Sequence, residues 1–339
     1  MTSLLAATGP TPARSALDTL ADLAETELRI PRPTPFATGF HPLDEVLSGG
    51  VRAGDLLLLG GKPGQGKTIA ALQWARHVAR TGHTAVYACY EHDEVTLLTR
   101  LLACELGEAA GATGCDDELR LDELREALRA VATGIRSVRE VLDSDPLLLD
   151  AEQRLGDYAS RLVLVRASGT RTDVESLSAL VDEFGDDQTM LVVDYIQKVP
   201  VHPEPSEEAE RVKRVAEALK ELALGRQLAI VAIAAADRQG LTSRRLRLHH
   251  FRGSTALAYE ADAALVLNDK LSVVSKAHLA YDTTRADEFR RRVVCTVEKN
   301  RNGAADVDLE FVKDFANYRF DPEGRWVVER LWQEGTIEE

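Results

Sequence analysis

Hydrophobic and polar positions alternate along residues 36–325 in a pattern that predicts strands separated by helices. Short apolar runs, which are typical of buried strands, are followed by longer segments in which apolar residues recur every three or four positions. The runs that predict strands are Asp55–Leu59, Ala85–Tyr90, Leu162–Val165, Met190–Val193, Ala229–Ile233, Ala264–Leu267 and Arg292–Val297. The segments that predict helices between them are Thr68–Arg80, Val174–Phe184 and Glu207–Leu224. This order predicts a mainly parallel α/β sheet flanked by helices, with antiparallel strands at Val307–Phe311 and Tyr318–Phe320 closing one edge.

The rest of the chain indicates how it is divided into parts. Residues 1–35 predict a loose leader and a short amphipathic linker helix, which the proline-rich stretch Pro31–Pro35 ends. This helix either packs on its own domain or docks on a neighbouring subunit. Residues 107–160 predict a helical, acidic insert within the main domain, 36–325, and residues 326–339 predict a C-terminal tail. The acidic charge of the insert indicates either a partner surface or a solvated helical face.

The composition excludes several classes of protein. Acidic residues outnumber basic ones, 55 to 41, and the formal charge of −14 argues against a protein that covers nucleic acid with its whole surface. Cys89, Cys104, Cys115 and Cys295 lie at unrelated spacings, so we expect free thiols in a reducing compartment. No apolar run approaches the ~20 residues that a membrane span needs, and the first residues lack the pattern of a secretory signal. We therefore expect a cytoplasmic protein without a membrane partner.

Residues Gly61–Thr68 carry the strongest chemical signal. They match the phosphate-binding pattern GxxxxGK(S/T) at every defined position, directly after a predicted strand and at the start of a predicted helix. In such a loop, backbone N–H groups surround phosphate oxygens, the lysine reaches the β- and γ-phosphates, and the hydroxyl binds Mg²⁺. The sequence therefore predicts ATP and Mg²⁺ as cofactors. The predicted nucleotide-binding residues are Gly61, Pro63, Gly64, Gln65, Gly66, Lys67 and Thr68.

Two acidic residues follow predicted strands. Asp194 comes directly after Met190–Val193, at the edge of the sheet where ligands bind, and we predict that it holds the metal together with Thr68. Glu91 follows the strand after the loop's helix, where a carboxylate can polarise the water that attacks the γ-phosphate. Each has a simpler interpretation, because Asp194 also suits a strand-end turn and Glu91 also suits a solvated helix start.

In this order, the motifs resemble the C-terminal motor domain of DnaB-type replicative helicases, within the RecA-like P-loop ATPases. The segments that carry the resemblance are Thr38–Asp44, the phosphate-binding loop, Tyr90-Glu91, Asp194–Gln197, Arg252–Asp262 and Lys299–Gly303. It covers about Thr38–Phe320, and we expect the family's separate N-terminal domain to be missing. The resemblance implies a RecA-like fold, a hexamer as the active unit, and a role for Gln197 in sensing the γ-phosphate.

The pair Asn302-Gly303, between two predicted strands, indicates a hairpin that presents Lys299 and Arg301 near its tip. Cations on a rigid tip at the opposite edge of the sheet cannot easily fold back to their own phosphate-binding loop. The resemblance implies that they reach the γ-phosphate of a neighbouring subunit, so that each catalytic site is built from two chains. The alternative is an ordinary charged hairpin.

A local excess of positive charge lies between residues 238 and 252. The segment has no acid, and its basic residues are Arg238, Arg244, Arg245, Arg247, His249, His250 and Arg252. Five guanidinium groups can neutralise several phosphates of single-stranded DNA, and the resemblance implies that this segment faces a central channel. The alternative is an exposed basic loop that pairs with acidic surface elsewhere. Ala234–Ala236 stands where the family has polar residues, which puts efficient coupling between nucleotide and DNA in doubt.

The sequence thus predicts an oligomeric, Mg²⁺- and ATP-dependent DNA motor of the DnaB class that moves on single strands, with a loader or replication protein as a further partner. A first alternative is a RecA- or KaiC-like regulatory or defence ATPase that acts on a protein partner without unwinding. Ala234–Ala236 and the acidic charge favour it. A second alternative is an assembly or helicase-loading module with little turnover, against which the presence of Glu91 argues.

Overall fold

The computed structural model of the chain describes residues 15–18, 20–21, 34–115, 117–186, 188–274 and 283–332. The chain divides into two units, residues 1–34 and 35–339. In the first unit, residues 16–18 and 20–21 are helical. The rest of the predicted leader and linker helix lies outside the described residues.

The second unit is built on one ten-stranded sheet. Its strands are β1 (Leu56–Gly61), β2 (Thr84–Cys89), β3 (Leu162–Arg166), β4 (Thr189–Asp194), β5 (Ala229–Ala234), β6 (Ala263–Asp269), β7 (Arg292–Asn300), β8 (Val307–Asp314), β9 (Arg319–Phe320) and β10 (Arg325–Trp326). The order across the sheet is β10-β8-β7-β6-β1-β5-β4-β2-β3, and β9 pairs with β8. Neighbouring strands from β6 to β3 are parallel, whereas β7 to β10 pair in antiparallel fashion. The predicted α/β class is confirmed, including its antiparallel C-terminal edge.

The central strands are mostly apolar, as expected where both faces of a sheet are covered. Every residue of β1, β2, β4 and β5 is buried. Leu57 and Leu59 of β1 pack in one core with Trp74, whereas Leu56 and Leu58 belong to a second core. Successive side chains of the strand thus supply the two cores, as the alternation of a strand requires.

Helices are present at the three predicted segments Thr68–Arg80, Val174–Phe184 and Glu207–Leu224, and the described part of the chain holds further helices. In chain order, the described helices are α1 (His41–Val46), α2 (Lys67–Arg80), α3 (Glu94–Thr113), α4 (Glu118–Ala132), α5 (Val138–Leu142), α6 (Pro146–Gly156), α7 (Val174–Phe184), α8 (Glu208–Arg226), α9 (Arg238–Thr242), α10 (Ser254–Glu260), α11 (Lys270–Val273) and α12 (Thr283–Arg290). The end of α3 and the helices α4 to α6 lie within residues 107–160, the segment predicted as an insert. None of the helices in the described part of the chain is long and apolar enough to span a membrane.

The insert is tied to the helix of the phosphate-binding loop by buried charges. Arg76 of α2 donates to Glu105 of α3 over 2.7 Å, and their side chains are 6% and 1% exposed. The hydroxyl of Tyr158 donates to the same carboxylate over 2.7 Å. A buried carboxylate needs such partners because its desolvation is costly. The network therefore fixes the insert against α2.

Acidic residues of the insert serve its local structure. Asp117 caps α4 by accepting a hydrogen bond from the N–H of Arg120. Glu118 and Asp122 both pair with Arg125, over 2.7 Å and 2.8 Å. These acids therefore act as a cap and as ion-pair partners on a solvated face.

The segment predicted as a C-terminal tail packs on the sheet unit over its described part. β10 pairs with β8, and Leu331 forms an isolated bridge with Val274. Glu329 pairs over 2.7 Å with Lys270, whose side chain is fully buried. The described part of the predicted tail, residues 326–332, is thus in contact with the sheet unit, and residues 333–339 lie outside the described residues.

Candidate functional site

The phosphate-binding loop runs from the end of β1 to the start of α2. Gly64 and Gly66 adopt left-handed backbone conformations, with φ of 77° and 86°, which other residues adopt only with strain. A Cβ atom at Gly66 would also lie 2.5 Å from the ring of Phe320. Gly66 is therefore required both for its backbone conformation and because no side chain would fit. The loop places backbone N–H groups at the start of the helix, where they can bind an anion.

The predicted loop residues line a cleft of about 560 Å³ at the carboxyl edge of the sheet. Those on its wall are Gly61, Pro63, Gly64, Gly66, Lys67 and Thr68. Gln65 lies within the loop, and its N–H donates to the carbonyl oxygen of Lys62 over 3.3 Å. The ammonium of Lys67 donates to the carbonyl oxygens of Gly61 and Lys62, over 2.8 Å and 3.1 Å. Burial lowers the pKa of Lys67, and the charges of Asp194 and Glu91 oppose that shift.

Asp194 ends β4 with its carboxylate buried beside the loop. Its Oδ2 accepts a hydrogen bond from the hydroxyl of Thr68 over 2.8 Å and another from the hydroxyl of Tyr87 over 3.0 Å. Burial raises the pKa of Asp194, and the two hydroxyl donors oppose the rise. Sequence reasoning missed Tyr87, because a tyrosine within an apolar strand carries no motif.

The donor atoms of Thr68 and Asp194 fit Mg²⁺, which prefers hard oxygen ligands. The described residues contain no group of three or more His, Cys, Asp or Glu side chains that could hold a metal by themselves. Mg²⁺ is commonly held by one or two protein oxygens together with phosphates and water. The site is therefore suited to a metal that arrives with a nucleotide.

Glu91 lies two residues beyond β2 and lines the same cleft as Lys67 and Asp194. Its side chain is exposed, unlike the buried carboxylate of Asp194. An exposed carboxylate at the mouth of the cleft can contact a water molecule there. The structure thus brings together the four residues that the sequence proposed for phosphate, metal and water: Lys67, Thr68, Asp194 and Glu91.

Several residues that sequence reasoning missed also line the cleft, among them two aromatic residues and an arginine. Phe315 and Tyr318 come from the turn between β8 and β9, and Arg100 comes from α3. The guanidinium of Arg100 lies over the ring of Tyr318, 5.4 Å from its centre, and 3.1 Å from Nε2 of His92. The two aromatic residues lie more than 200 positions after the loop in sequence, so no local pattern could associate them with it.

Gln197 links the ends of two strands. Its side-chain oxygen accepts from the N–H of Ala235 over 3.0 Å, and its side-chain nitrogen donates to the carbonyl of Arg252 over 3.2 Å. The residue is 3% exposed. Both ends of the amide are thus engaged by backbone of the segment that follows β5.

Lys299 and Arg301 lie at the opposite edge of the sheet from the loop. β7 runs antiparallel to β6 and places Asn300 opposite Ala263, beside the start of β1. Lys299 donates to the carbonyl of Ala258 over 2.6 Å, and Arg301 donates to the Asp262 carboxylate over 3.0 Å. Each cation therefore faces away from the nucleotide cleft of its own chain.

The five arginines of residues 238–252 do not share one surface. Arg245 is 2% exposed and pairs with Asp308 over 2.5 Å, so we correct its predicted contact with DNA. Arg247 pairs with Glu298 over 2.8 Å. Glu298 lies on β7 and Asp308 lies on β8. These two ion pairs agree with the alternative prediction, a basic loop that pairs with acidic surface elsewhere.

Of the other three arginines of that segment, Arg244 is half-buried and Arg238 and Arg252 are exposed. Arg244 donates to the carbonyls of Ser272 and Val274 over 2.9 Å and 2.8 Å. Arg252 is exposed, pairs with Glu208 over 3.2 Å and lines the nucleotide cleft. Arg238 is exposed at the start of α9. Exposed positive charge is thus left in this segment at Arg238 and Arg252.

The basic segment also touches the phosphate-binding loop. The ammonium of Lys62 contacts the carbonyl oxygen of Ser243. The ring of Phe251 lies so close to Gly60 that a Cβ atom there would be 1.8 Å from it. Residues 243–252 are therefore in direct contact with both β1 and the loop that follows it.

Known proteins resemble this chain over most of its length. A family model, the DnaB-like helicase C terminal domain, matches residues 36–320. The chain is 24% identical over 287 residues to the replicative DNA helicase DnaB of Treponema pallidum (strain Nichols), a match that covers 83% of this chain and 55% of that protein. It is 30% identical over 169 residues to the DNA repair protein RadA of Mycolicibacterium smegmatis, a match that covers 43% and 36%. The chain thus spans about half the length of the first relative and about a third of the second.

Solved structures share the fold. One solved ATPase domain superposes with a TM-score of 0.69 at 16% identity, and the match covers 91% of this chain and 99% of that domain. A DnaB-like replicative helicase, described together with its interactions with primase, superposes with a TM-score of 0.66 at 16% identity and covers 91% and 67%. The family match over residues 36–320, which is more than half of the chain, shows that the chain belongs to the DnaB-like helicase C-terminal domain family.

Proposed function

We propose that this protein hydrolyses ATP with Mg²⁺ and uses the reaction to move on single-stranded DNA. The convergence of Lys67, Thr68, Asp194 and Glu91 on one cleft carries the proposal. Bound MgATP supplies the phosphoanhydride bond and the charge that the site has to neutralise. Lys67 would hold the β- and γ-phosphates, Thr68 and Asp194 would hold the metal, and Glu91 would orient and deprotonate the attacking water.

The cleft also has a wall suited to a nucleobase. Phe315 and Tyr318 present aromatic side chains beside the loop, and Arg100 adds a cation at the ring of Tyr318. Aromatic rings and guanidinium planes both stack on bases. These side chains favour a nucleotide over free phosphate as the ligand of the cleft.

We further propose that the active unit is a homo-oligomer, a hexamer, whose catalytic sites lie between subunits. Lys299 and Arg301 lie at the sheet edge opposite to the loop of their own chain, so they can serve only the nucleotide of a neighbour. An arginine supplied in this way raises phosphoryl-transfer rates by about 10³–10⁵. The N-terminal linker helix would add a further contact between subunits.

DNA contact and coupling are proposed for the segment after β5. Arg238 and Arg252 are exposed, and we keep Arg244 as a third candidate, whereas Arg245 and Arg247 act in packing. Gln197 holds the backbone N–H of Ala235, so backbone supplies a link where the family's polar side chains are replaced by alanine. A loader or replication protein remains a further proposed partner.

A second candidate function is an ATPase that switches a protein partner without unwinding DNA. The pairing of Arg245 and Arg247 with Asp308 and Glu298 favours it, because it removes charge that would hold DNA. The net charge of −14 also favours this second candidate function.

Mixed oligomers test the shared site. Lys67→Ala and Arg301→Ala should each lower ATP turnover by about a hundredfold or more, because each removes one half of the site. In an equal mixture, about a quarter of the sites combine an intact loop with an intact neighbouring arginine, and turnover should recover to roughly that fraction of the wild-type rate.

Arg291→Ala is the matched control for loss of an exposed arginine, since it lies at the other end of β7. This variant alone should keep wild-type turnover. Turnover of the Lys67→Ala and Arg301→Ala mixture that equals the mean of the two separate proteins would refute a site shared between subunits.

A further inference from the structure

One buried hydroxyl beside the candidate metal site has no role in the function proposed above. Tyr87 lies in the middle of β2 and is fully buried. Its register partner on the adjacent strand is Val192, two residues before Asp194. The phenol therefore reaches along β4 towards the carboxylate at its end.

The hydroxyl of Tyr87 contacts the same oxygen as the phosphate-binding loop does. It donates to Oδ2 of Asp194 over 3.0 Å, and the hydroxyl of Thr68 donates to that oxygen over 2.8 Å. It also lies 3.5 Å from the carbonyl oxygen of Thr68. The thiol of Cys89 lies 4.0 Å from Oδ2 of Asp194, so the donors recorded within the described part of the chain all contact that oxygen and not Oδ1. Two hydroxyl donors on one oxygen fix the plane of the carboxylate and leave the other oxygen available.

Packing within the strand does not explain the hydroxyl group of Tyr87. The strand reads Thr-Ala-Val-Tyr-Ala-Cys and is buried at every position, so an apolar residue would satisfy packing alone. A buried hydroxyl requires a hydrogen-bond partner. At Tyr87 that partner is a carboxylate of the functional site, and hydrogen bonds to charged groups are about twice as strong as neutral ones.

We propose that Tyr87 is a positioning residue that orients Asp194 for Mg²⁺. The inference rests on the proposed nucleotide site. Residues that hydrogen-bond a metal ligand typically change metal affinity by about 10–100-fold when they are removed. Loss of the Tyr87 hydroxyl should therefore weaken the Mg²⁺-dependent part of nucleotide binding and leave metal-free binding of the nucleotide unchanged.

The chain offers a matched control for this substitution. Tyr158 is 1% exposed, and its hydroxyl donates to the buried carboxylate of Glu105 over 2.7 Å. Tyr158 does not line the nucleotide cleft. Tyr87→Phe and Tyr158→Phe thus each remove one hydroxyl from a buried carboxylate, and only the first does so at the metal site.

The experiment uses the whole 339-residue chain. It measures Mn²⁺ affinity by electron paramagnetic resonance in the presence of a non-hydrolysable ATP analogue, and it measures the affinity for the analogue alone in EDTA. Tyr87→Phe should weaken Mn²⁺ binding about tenfold and leave analogue affinity in EDTA at the wild-type value. Tyr158→Phe should keep wild-type Mn²⁺ affinity, although its melting temperature falls. The Mg²⁺ concentration for half-maximal turnover should rise in Tyr87→Phe alone.

Equal Mn²⁺ affinity in Tyr87→Phe and wild type would overturn the inference. An equal loss in both variants would also overturn it, because the effect would then reflect general destabilisation. Failure of the wild-type chain to bind the analogue would instead overturn the proposed nucleotide site, so the two failures are distinguishable.

Discussion

In the nucleotide cleft, Glu91 is more exposed to solvent than Lys67 and Asp194. Asp194 is buried and Lys67 is half-buried, and burial acts on the pKa of each. Glu91 remains at the mouth of the cleft. A carboxylate that contacts water and the substrate together is suited to accept a proton during attack on a phosphate. Its role should therefore lie in turnover and not in nucleotide binding.

Glu91→Gln should lower ATP turnover by about 10²–10⁴, because the amide cannot accept the proton, while ATP affinity stays within about twofold of wild type. The matched control is Glu94→Gln, an exposed glutamate three positions later at the start of α3. Steady-state turnover and equilibrium nucleotide binding on both variants give the comparison. Wild-type turnover in Glu91→Gln would show that another group activates the water.

Residues of the site differ in how far the sequence predicts them. Lys67 and Thr68 have motif-defined spacing, and Asp194 follows an apolar run, so local sequence is sufficient to find them. Phe315 and Tyr318 reach the cleft from a turn near the end of the chain through pairing of β8 and β9. Their position depends on the order of strands in the sheet, which no local pattern contains.

At the scale of elements, residues 238–252 hold both a buried, ion-paired arginine and exposed arginines in one short segment. Arg245 packs against β7 and β8, where it donates to Thr296 and pairs with Asp308. Arg238 begins α9 and is exposed. The composition of the segment predicts its positive charge but not which side chains pack against the sheet. The reason is that the acids that pair with Arg245 and Arg247 lie 63 and 51 positions later in the sequence. Sequence proximity alone therefore could not separate packing arginines from exposed ones.

Arg245→Ala should lower the free energy of unfolding by about 2–4 kcal/mol, because Asp308 would lose its buried ion-pair partner. Arg238→Ala should leave the unfolding free energy unchanged and weaken binding of single-stranded DNA, with a smaller salt dependence. Urea denaturation and DNA titrations at two salt concentrations measure both effects. Unchanged stability in Arg245→Ala, together with lost DNA binding, would return this arginine to the DNA contacts.

The elements themselves were largely predictable, since buried strands and amphipathic helices have distinct periods. β7 is an instructive exception at its end. The apolar pattern stops at Val297, yet the strand continues to Asn300 because Lys299 and Asn300 pair with Ala264 and Ala263 of β6. Polar residues at the end of this strand are held by pairing with the neighbouring strand, and the hydrophobic pattern does not predict that pairing.

At the scale of the whole molecule, two edges of one sheet carry different parts of the proposed reaction. The carboxyl edge holds the phosphate-binding loop, Asp194 and Glu91, and the opposite edge holds Lys299 and Arg301. A single chain cannot bring the two edges together. Assembly is therefore part of the proposed catalytic mechanism, and turnover should depend on protein concentration where the oligomer dissociates.

The acidic charge of the molecule sets the conditions for DNA binding. With a net charge of −14, the chain repels DNA at long range, and only a local basic surface at short range can offset that repulsion. DNA binding by such a surface weakens steeply as salt rises. Salt dependence therefore separates a DNA motor from an ATPase that acts on a protein.

The most direct test of the central claim is ATP turnover by the purified protein, with and without single-stranded DNA, at low and moderate salt. Lys67→Ala serves as the blank, since it removes the lysine of the phosphate-binding loop. We predict turnover that single-stranded DNA stimulates at low salt, with a stimulation that fades as salt rises. Turnover that is clear but indifferent to DNA at both salt concentrations would contradict the DNA motor and favour a protein partner.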